Sequence, residues 1–204
     1  MTRMRERATW AIIWAAAVGM VSAAALTGAH RLLAPYQEAN ASERNIRDVL
    51  AALAIPGAQD APPQVAADLY AAKVREEDRG GRKVWRYVEG GATQGWAISF
   101  SGRGYSAPIE GFVGLDPEMT HLRGMTVTYQ AETPGLGGQV GSERFLAQFR
   151  GKRVDGLRLV RGRPASLDNE VDAITGATLT SNRFQTILDA TLDEVRKMRS
   201  DRAR

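Results

Sequence analysis

From residue 8 to residue 29 the chain carries no charged side chain. A helix needs about 20 apolar residues to cross a bilayer, so this run predicts one N-terminal transmembrane helix and a body on one side of a membrane. Trp10 and Trp14 stand near its start, where amphipathic rings suit the headgroup level, and Arg3, Arg5 and Arg7 precede it. Basic residues ahead of a span predict a cytoplasmic N-terminus and an extracytoplasmic body. A cleaved signal peptide is the other reading, with Ala23 and Ala25 as small residues near a cleavage site. The run is longer than a usual signal core and favours an uncleaved anchor in contact with lipid. Ala15, Gly19, Ala23 and Thr27 recur every fourth residue. Such a strip of small side chains lets helices pack closely in lipid, and so points to a helix of another subunit.

The rest divides into a helical linker region (31–80) and a globular domain (81–204) behind the anchor (1–30). Residues 36–54 read as a helix, with Ile46, Val49, Leu50 and Leu53 at helical spacing, stopped by Pro56-Gly57. A second helix is predicted over 65–77, ending at Gly80-Gly81. Strands are predicted over 83–90, 95–102, 109–116, 123–131 and 156–162, each bounded by glycine or acidic turn residues. A short helix covers 142–149. The last helix is expected to begin near Asn182, where Asn182 and Gln185 resemble a capping box. Its apolar stripe runs through Phe184, Ile187, Leu188, Thr191, Leu192, Val195 and Met198. The fold class is α+β: a twisted, mostly antiparallel sheet with flanking helices.

The chain has no cysteine and two histidines, His30 and His121. Disulfides, thiolate metal sites and a cysteine nucleophile are excluded, and a histidine-rich metal or haem site has too few ligands. His121 reads as a surface residue. The net charge of +4 does not point to nucleic acid, because the surplus sits before the apolar run and in the tail at Arg196, Lys197, Arg199, Arg202 and Arg204.

Two segments carry candidate chemistry. In Glu132-Thr133-Pro134-Gly135-Leu136-Gly137-Gly138 the glycines permit positive φ and close approach of backbone to a ligand; a tight turn explains them equally well. The second, Asp172-Ala173-Ile174-Thr175-Gly176-Ala177-Thr178-Leu179-Thr180-Ser181-Asn182, runs into the last helix. There, unpaired N–H groups and the dipole suit a phosphate, and Thr175, Thr178, Thr180 and Ser181 supply hydroxyls. A hydroxyl-rich helix cap without ligand is the plainer reading.

In order along the chain, GYSAPIEGFVGLDPE, ETPGLGGQ, FLAQFRGK and DAITGATLTSN resemble the FMN-binding domain family, which includes the C subunit of the sodium-pumping NADH:quinone oxidoreductase and the G subunit of the Rnf complex. The resemblance covers residues 102 to the end, and the anchor. It implies FMN joined by a phosphoester to Thr178, the last threonine of the block, by a separate flavin transferase that reads the block together with Asp172. It also implies a bacterial inner-membrane location, a periplasmic flavin domain and partner subunits of an oxidoreductase complex. The chain departs from the family in having Gln130 where many members have histidine, Phe145 in place of a tryptophan, and Thr175 in place of serine. The LTSN and QF-GK patterns resemble the quinone-reductase member; the short length resembles the Rnf member.

What the resemblance implies for mechanism is an electron-carrying subunit in which flavin supplies the redox chemistry and protein supplies tethering and orientation. Thr178 carries the phosphate, with Thr175, Gly176, Ala177, Thr180 and Ser181 around it. Thr133, Pro134, Gly135, Leu136 and Gly137 lie against the ring. Glu132 is either a ring partner or the pin of its loop, and Tyr105 either lines the site or belongs to the core. No general acid, general base or metal is called for. A membrane-anchored sensory or reductase-associated flavoprotein, and an anchored binding domain without cofactor, are the competing functions.

Overall fold

The computed structural model describes residues 2–202, with side chains at 10, 14, 16–33 and from 41 onward. The side chains of Arg3, Arg5, Arg7 and Ala15, and Arg204 of the basic tail, lie outside the described residues. The chain forms two compact units, Met1–Ser42 and Glu43–Arg204. From Thr2 onward the first is helix, part of α1 (Thr2–Ala52). Its stretch Ala16–Leu33 is long and apolar enough to cross a membrane, with a mean hydropathy of 1.2.

The second unit is built on a five-stranded antiparallel sheet in chain order: β1 (Val74–Arg79), β2 (Arg82–Glu89), β3 (Ala92–Arg103), β4 (Pro108–Leu115) and β5 (Leu122–Tyr129). The first two connections are two-residue turns, Gly80-Gly81 and Gly90-Gly91, with φ of 64°, 78°, 60° and 79°. Paired positive φ matches the twist of an antiparallel ribbon, and glycine adopts it without steric cost. Helix α2 (Pro63–Lys73) starts on a proline at its first position.

The helix expected over 65–77 therefore ends four residues early, and Val74–Arg79 is an edge strand. Its charges pair across to β2, Glu76 with Lys83 and Glu77 with Arg86. A charged edge strand lacks the apolar alternation that would announce it, and the charges discourage pairing with another chain.

Alternate residues of each strand face opposite sides. Val84, Ile98 and Val113 pack with Phe184, Leu188 and Leu192 of the last helix, α4 (Thr178–Arg202). Trp85, Ala97 and Phe112 pack on the other face with Val49 and Leu50 of α1 and with Leu53 just past its end. Gly114 and Gly124 make this second contact possible. A Cβ at Gly114 would collide with the Ala52 carbonyl, and one at Gly124 would lie 2.8 Å from it. Arg123 donates Nε–H to the Leu53 carbonyl at 2.7 Å and so caps the end of α1. Residues 49–66, part of the stretch expected to be a helical linker, thus contribute apolar side chains to the core of this unit.

After β5 the chain forms the 132–136 loop, a 3-10 turn (Gly137–Gly141) and α3 (Glu143–Ala147), whose N-cap Ser142 accepts from the Phe145 N–H. Phe145, Phe149 and Phe184 stack edge-on or tilted, with ring centroids 5.4–6.2 Å apart. The strand expected over 156–162 is reduced to β6 (Arg158–Val160), which pairs in parallel with β7 (Glu170–Asp172). α4 begins at Thr178, four residues before the expected start. The Asn182–Gln185 pair lies inside the helix and serves tertiary contacts instead of a cap. Gln185 accepts from the Leu159 N–H at 2.6 Å and donates to the Leu157 carbonyl at 3.1 Å.

Candidate functional site

Three segments distant in sequence meet around one carboxylate. Glu132 is 5% exposed. Its Oε1 accepts from the backbone N–H groups of Ser106 and Ala107 at 2.8 and 3.3 Å, and its Oε2 from the Thr180 hydroxyl at 2.7 Å. Burial opposes its charge, but the Thr180 hydroxyl and the N–H groups of Ser106, Ala107 and Tyr105 outweigh that and hold its pKa below the ordinary value. Of the two roles open for Glu132, the geometry is that of the pin: both oxygens are taken by protein donors, and they join the 104–107 turn, the 132–138 loop and the first turn of α4.

Two glycines leave the room this requires. A Cβ at Gly104 would sit 2.5 Å from Glu132 Oε1. One at Gly137 would collide with Thr180 Oγ1 and lie 2.9 Å from Glu132 Oε2. Gly137 is demanded by space, since its φ is not positive. Gly135 is demanded by its backbone, at φ 74° with open space around it. Gly176, at φ 78°, faces Leu136, whose Cδ2 would lie 3.4 Å from an added Cβ. The two motif loops therefore touch through Leu136 and Gly176.

The four hydroxyls of the second segment separate cleanly. Thr180 and Ser181 are 3% and 0% exposed and already engaged: Thr180 donates to Glu132, and Ser181 Oγ accepts from the Ile174 N–H at 3.2 Å. Thr175 and Thr178 are exposed. Both line, with Gly176, a cavity of about 950 Å³ that reaches Gln139 and Arg161. That volume lies within the range of small-molecule and cofactor sites. Ala177 is buried behind the wall. Thr133 and Pro134 are exposed on the loop, where the Thr133 carbonyl accepts from Leu136 and Gly138. Tyr105 is 59% exposed on its turn, so it is no core residue.

The arginines were not foreseen. Arg144, Arg161 and Arg163 all border the cavity, with Asp172 as the single acid. Behind them Glu170, 0% exposed, takes Arg158 at 2.7 Å and Arg163 at 2.5 Å. Hydrogen bonds from Arg163, then Arg158, hold its pKa far below the ordinary value. The run of three arginines at 158, 161 and 163 was the available signal. Among the described residues no group of three or more His, Asp and Glu could hold a metal ion. His121 is exposed and its Nδ1 lies 3.4 Å from Asp116.

The cavity fits a flavin phosphate by its chemistry: an exposed hydroxyl, a glycine loop and cationic side chains. Comparison agrees. Residues 104–193 match the FMN-binding domain family. The chain is 37% identical over 91 residues to the C subunit of the Na(+)-translocating NADH-quinone reductase of Pasteurella multocida, covering 42% of this chain and 35% of that protein. It is 41% identical over 94 residues to the same protein of Neisseria meningitidis serogroup B, covering 43% and 36%. The match spans well under half the length of these relatives. The crystal structure of the corresponding protein from Parabacteroides distasonis superposes with a TM-score of 0.69 at 20% identity, covering 82% of this chain and 96% of that one. Shewanella oneidensis NqrC gives 0.64 at 19% identity, covering 77% and 99%. At such identities these two show the fold. Residues 104–193 are thus similar to FMN-binding domains, in a chain similar over that region to the C subunit of the Na(+)-translocating NADH-quinone reductase.

Proposed function

We propose that this chain is an electron-carrying subunit of a membrane NADH-quinone reductase of the sodium-translocating type, with FMN esterified through its phosphate to Thr178. The observation that carries the reading is the sorting of hydroxyls. Thr180 and Ser181 are buried and spoken for, whereas Thr178 is exposed, opens the last helix and borders the cavity. The relatives named above support the sodium-translocating type, because they carry that name. The apolar helix supports an anchor, and the arginines before it support a periplasmic domain.

Bound flavin would supply the electron transfer. The residues of this chain hold and orient it. Thr178 tethers the phosphate, and Thr175 stands as a hydrogen-bonding neighbour. Thr133, Pro134 and Leu136 form the exposed face of the glycine loop, with Tyr105 on the adjoining turn, as contacts for the ring. Glu132 acts through the loop it pins. Asp172, on the wall of the same cavity, is placed for recognition by a maturing transferase.

The test is co-expression with a flavin transferase, then in-gel fluorescence and mass measurement after denaturation. Wild type should gain FMN less one water. Thr178→Ala should lose the label completely, while Thr178→Ser and Thr175→Ala retain it. A label that maps to Thr175, or a wild type without label, would overturn the assignment.

A further inference from the structure

The cavity beside Thr178 contains cations whose charge the fold leaves unspent. Arg163 is bound to Glu170 by two hydrogen bonds, at 2.8 and 2.5 Å. Arg161 is different. Its Nη2 donates to the side-chain oxygen of Asn182, a neutral acceptor, and among the described residues it makes no ion pair. Arg144 makes none either, and both line the cavity. A guanidinium has five N–H donors in a planar fork suited to phosphate oxygens, so most of Arg161's capacity is free.

The partner of Arg161 fixes where that capacity points. Asn182 lies four residues after Thr178 in α4. Residues so spaced are neighbours on one helix face, about 5–6 Å apart at Cβ, and helical side chains lean toward the N-terminus. Asn182 therefore leans over Thr178 and brings Arg161 with it.

We propose that Arg161, positioned by Asn182, is the receptor for the phosphate group at Thr178, with Arg144 adding a second positive charge to the same cavity. This rests on the flavin reading above and deepens it. Recognition comes before attachment: the cation holds the phosphate of a flavin mononucleotide beside the hydroxyl whether or not an ester has formed.

FMN and riboflavin differ only in the phosphate, so the ratio of their affinities isolates this contact. The full-length chain, made without transferase and kept in detergent, is titrated with each by flavin fluorescence. Wild type should bind FMN at least tenfold more tightly than riboflavin. Arg161→Gln should bring the ratio close to one with riboflavin affinity unchanged, and that unchanged value also reports intact folding. Arg161→Lys should keep part of the preference. Asn182→Ala, which keeps the charge but releases it, should fall between. Arg183→Gln removes an exposed charge outside the cavity and should leave the ratio alone. Equal affinities in wild type, no FMN binding, a preference that survives Arg161→Gln, or an equal fall in Arg183→Gln would each overturn the proposal. The ester is read separately by in-gel fluorescence. An unlabelled protein that still prefers FMN through Arg161 would defeat the attachment and leave the receptor standing.

Discussion

Glu132 and Glu170 are both hidden from water, and both stay ionised at a pKa below the ordinary value, but by opposite means. Glu132 is held by neutral donors, two of them backbone N–H groups that cannot move away. Glu170 is covered by two arginines whose own side chains are 55% and 48% exposed. A carboxylate clasped by backbone ties segments of the chain together. One covered by half-exposed cations organises a charged surface, and water can replace its cover. The first belongs to the architecture of the site, the second to its rim.

The comparison predicts different losses. Glu132→Ala strands the Ser106 and Ala107 N–H groups and the Thr180 hydroxyl. A buried polar group left unpaired costs about 1–3 kcal/mol, so we expect roughly 3 kcal/mol by urea denaturation, and poor flavin labelling by a transferase. A loss below 1 kcal/mol would mean that the three segments are held elsewhere. Gly137→Ala should come next at about 1–3 kcal/mol, the usual cost of forcing extra volume into a packed site, because its Cβ collides with Thr180 Oγ1. Gly135→Ala meets only a backbone penalty of about 1 kcal/mol. If the order of the two glycines is reversed, close approach is not what the loop needs.

Removing both covers of Glu170, as Arg158→Gln with Arg163→Gln, should cost less than Glu132→Ala and act locally, quickening proteolysis between residues 161 and 169. A global loss as large as that of Glu132→Ala would break the comparison.

Acid should expose both carboxylates. A depressed pKa in the fold contributes stability that is complete above the unfolded value, about 4.3 for glutamate, and is lost as pH falls through the folded value. Stability should therefore decline below about pH 4.3, and Glu132→Gln and Glu170→Gln should each flatten that decline. Salt should give the smallest effect. Raising it to about 1 M shortens the screening length to about 3 Å and should weaken the arginine cover of Glu170 measurably, leaving the neutral clasp of Glu132 unchanged.

The sheet was largely readable in the sequence because β2 to β5 are apolar runs bounded by glycine or acidic turn residues. The two motif loops were readable because glycine and hydroxyl residues cluster there. β1 was not, since an edge strand written VREEDR has neither period. The start of α4 was misplaced because Asn182 and Gln185 imitate a capping pair locally, while the fold uses their side chains to reach Arg161 and the backbone of β6. Glu132 stood between two roles because its partners lie 26 and 48 residues away in the chain. The cationic wall went unread for the same reason, as Arg144 and Arg161 meet only across the folded cavity.

Thr180 has a mechanical effect on its neighbour two positions earlier. With 3.6 residues per turn, Thr178 and Thr180 project about 200° apart around α4. Fastening Thr180 to Glu132 keys the helix against rotation about its own axis, as a keyway holds a shaft. The opposite spoke, Thr178, then leaves the helix at one bearing, and anything attached to it inherits that heading before it makes a contact of its own.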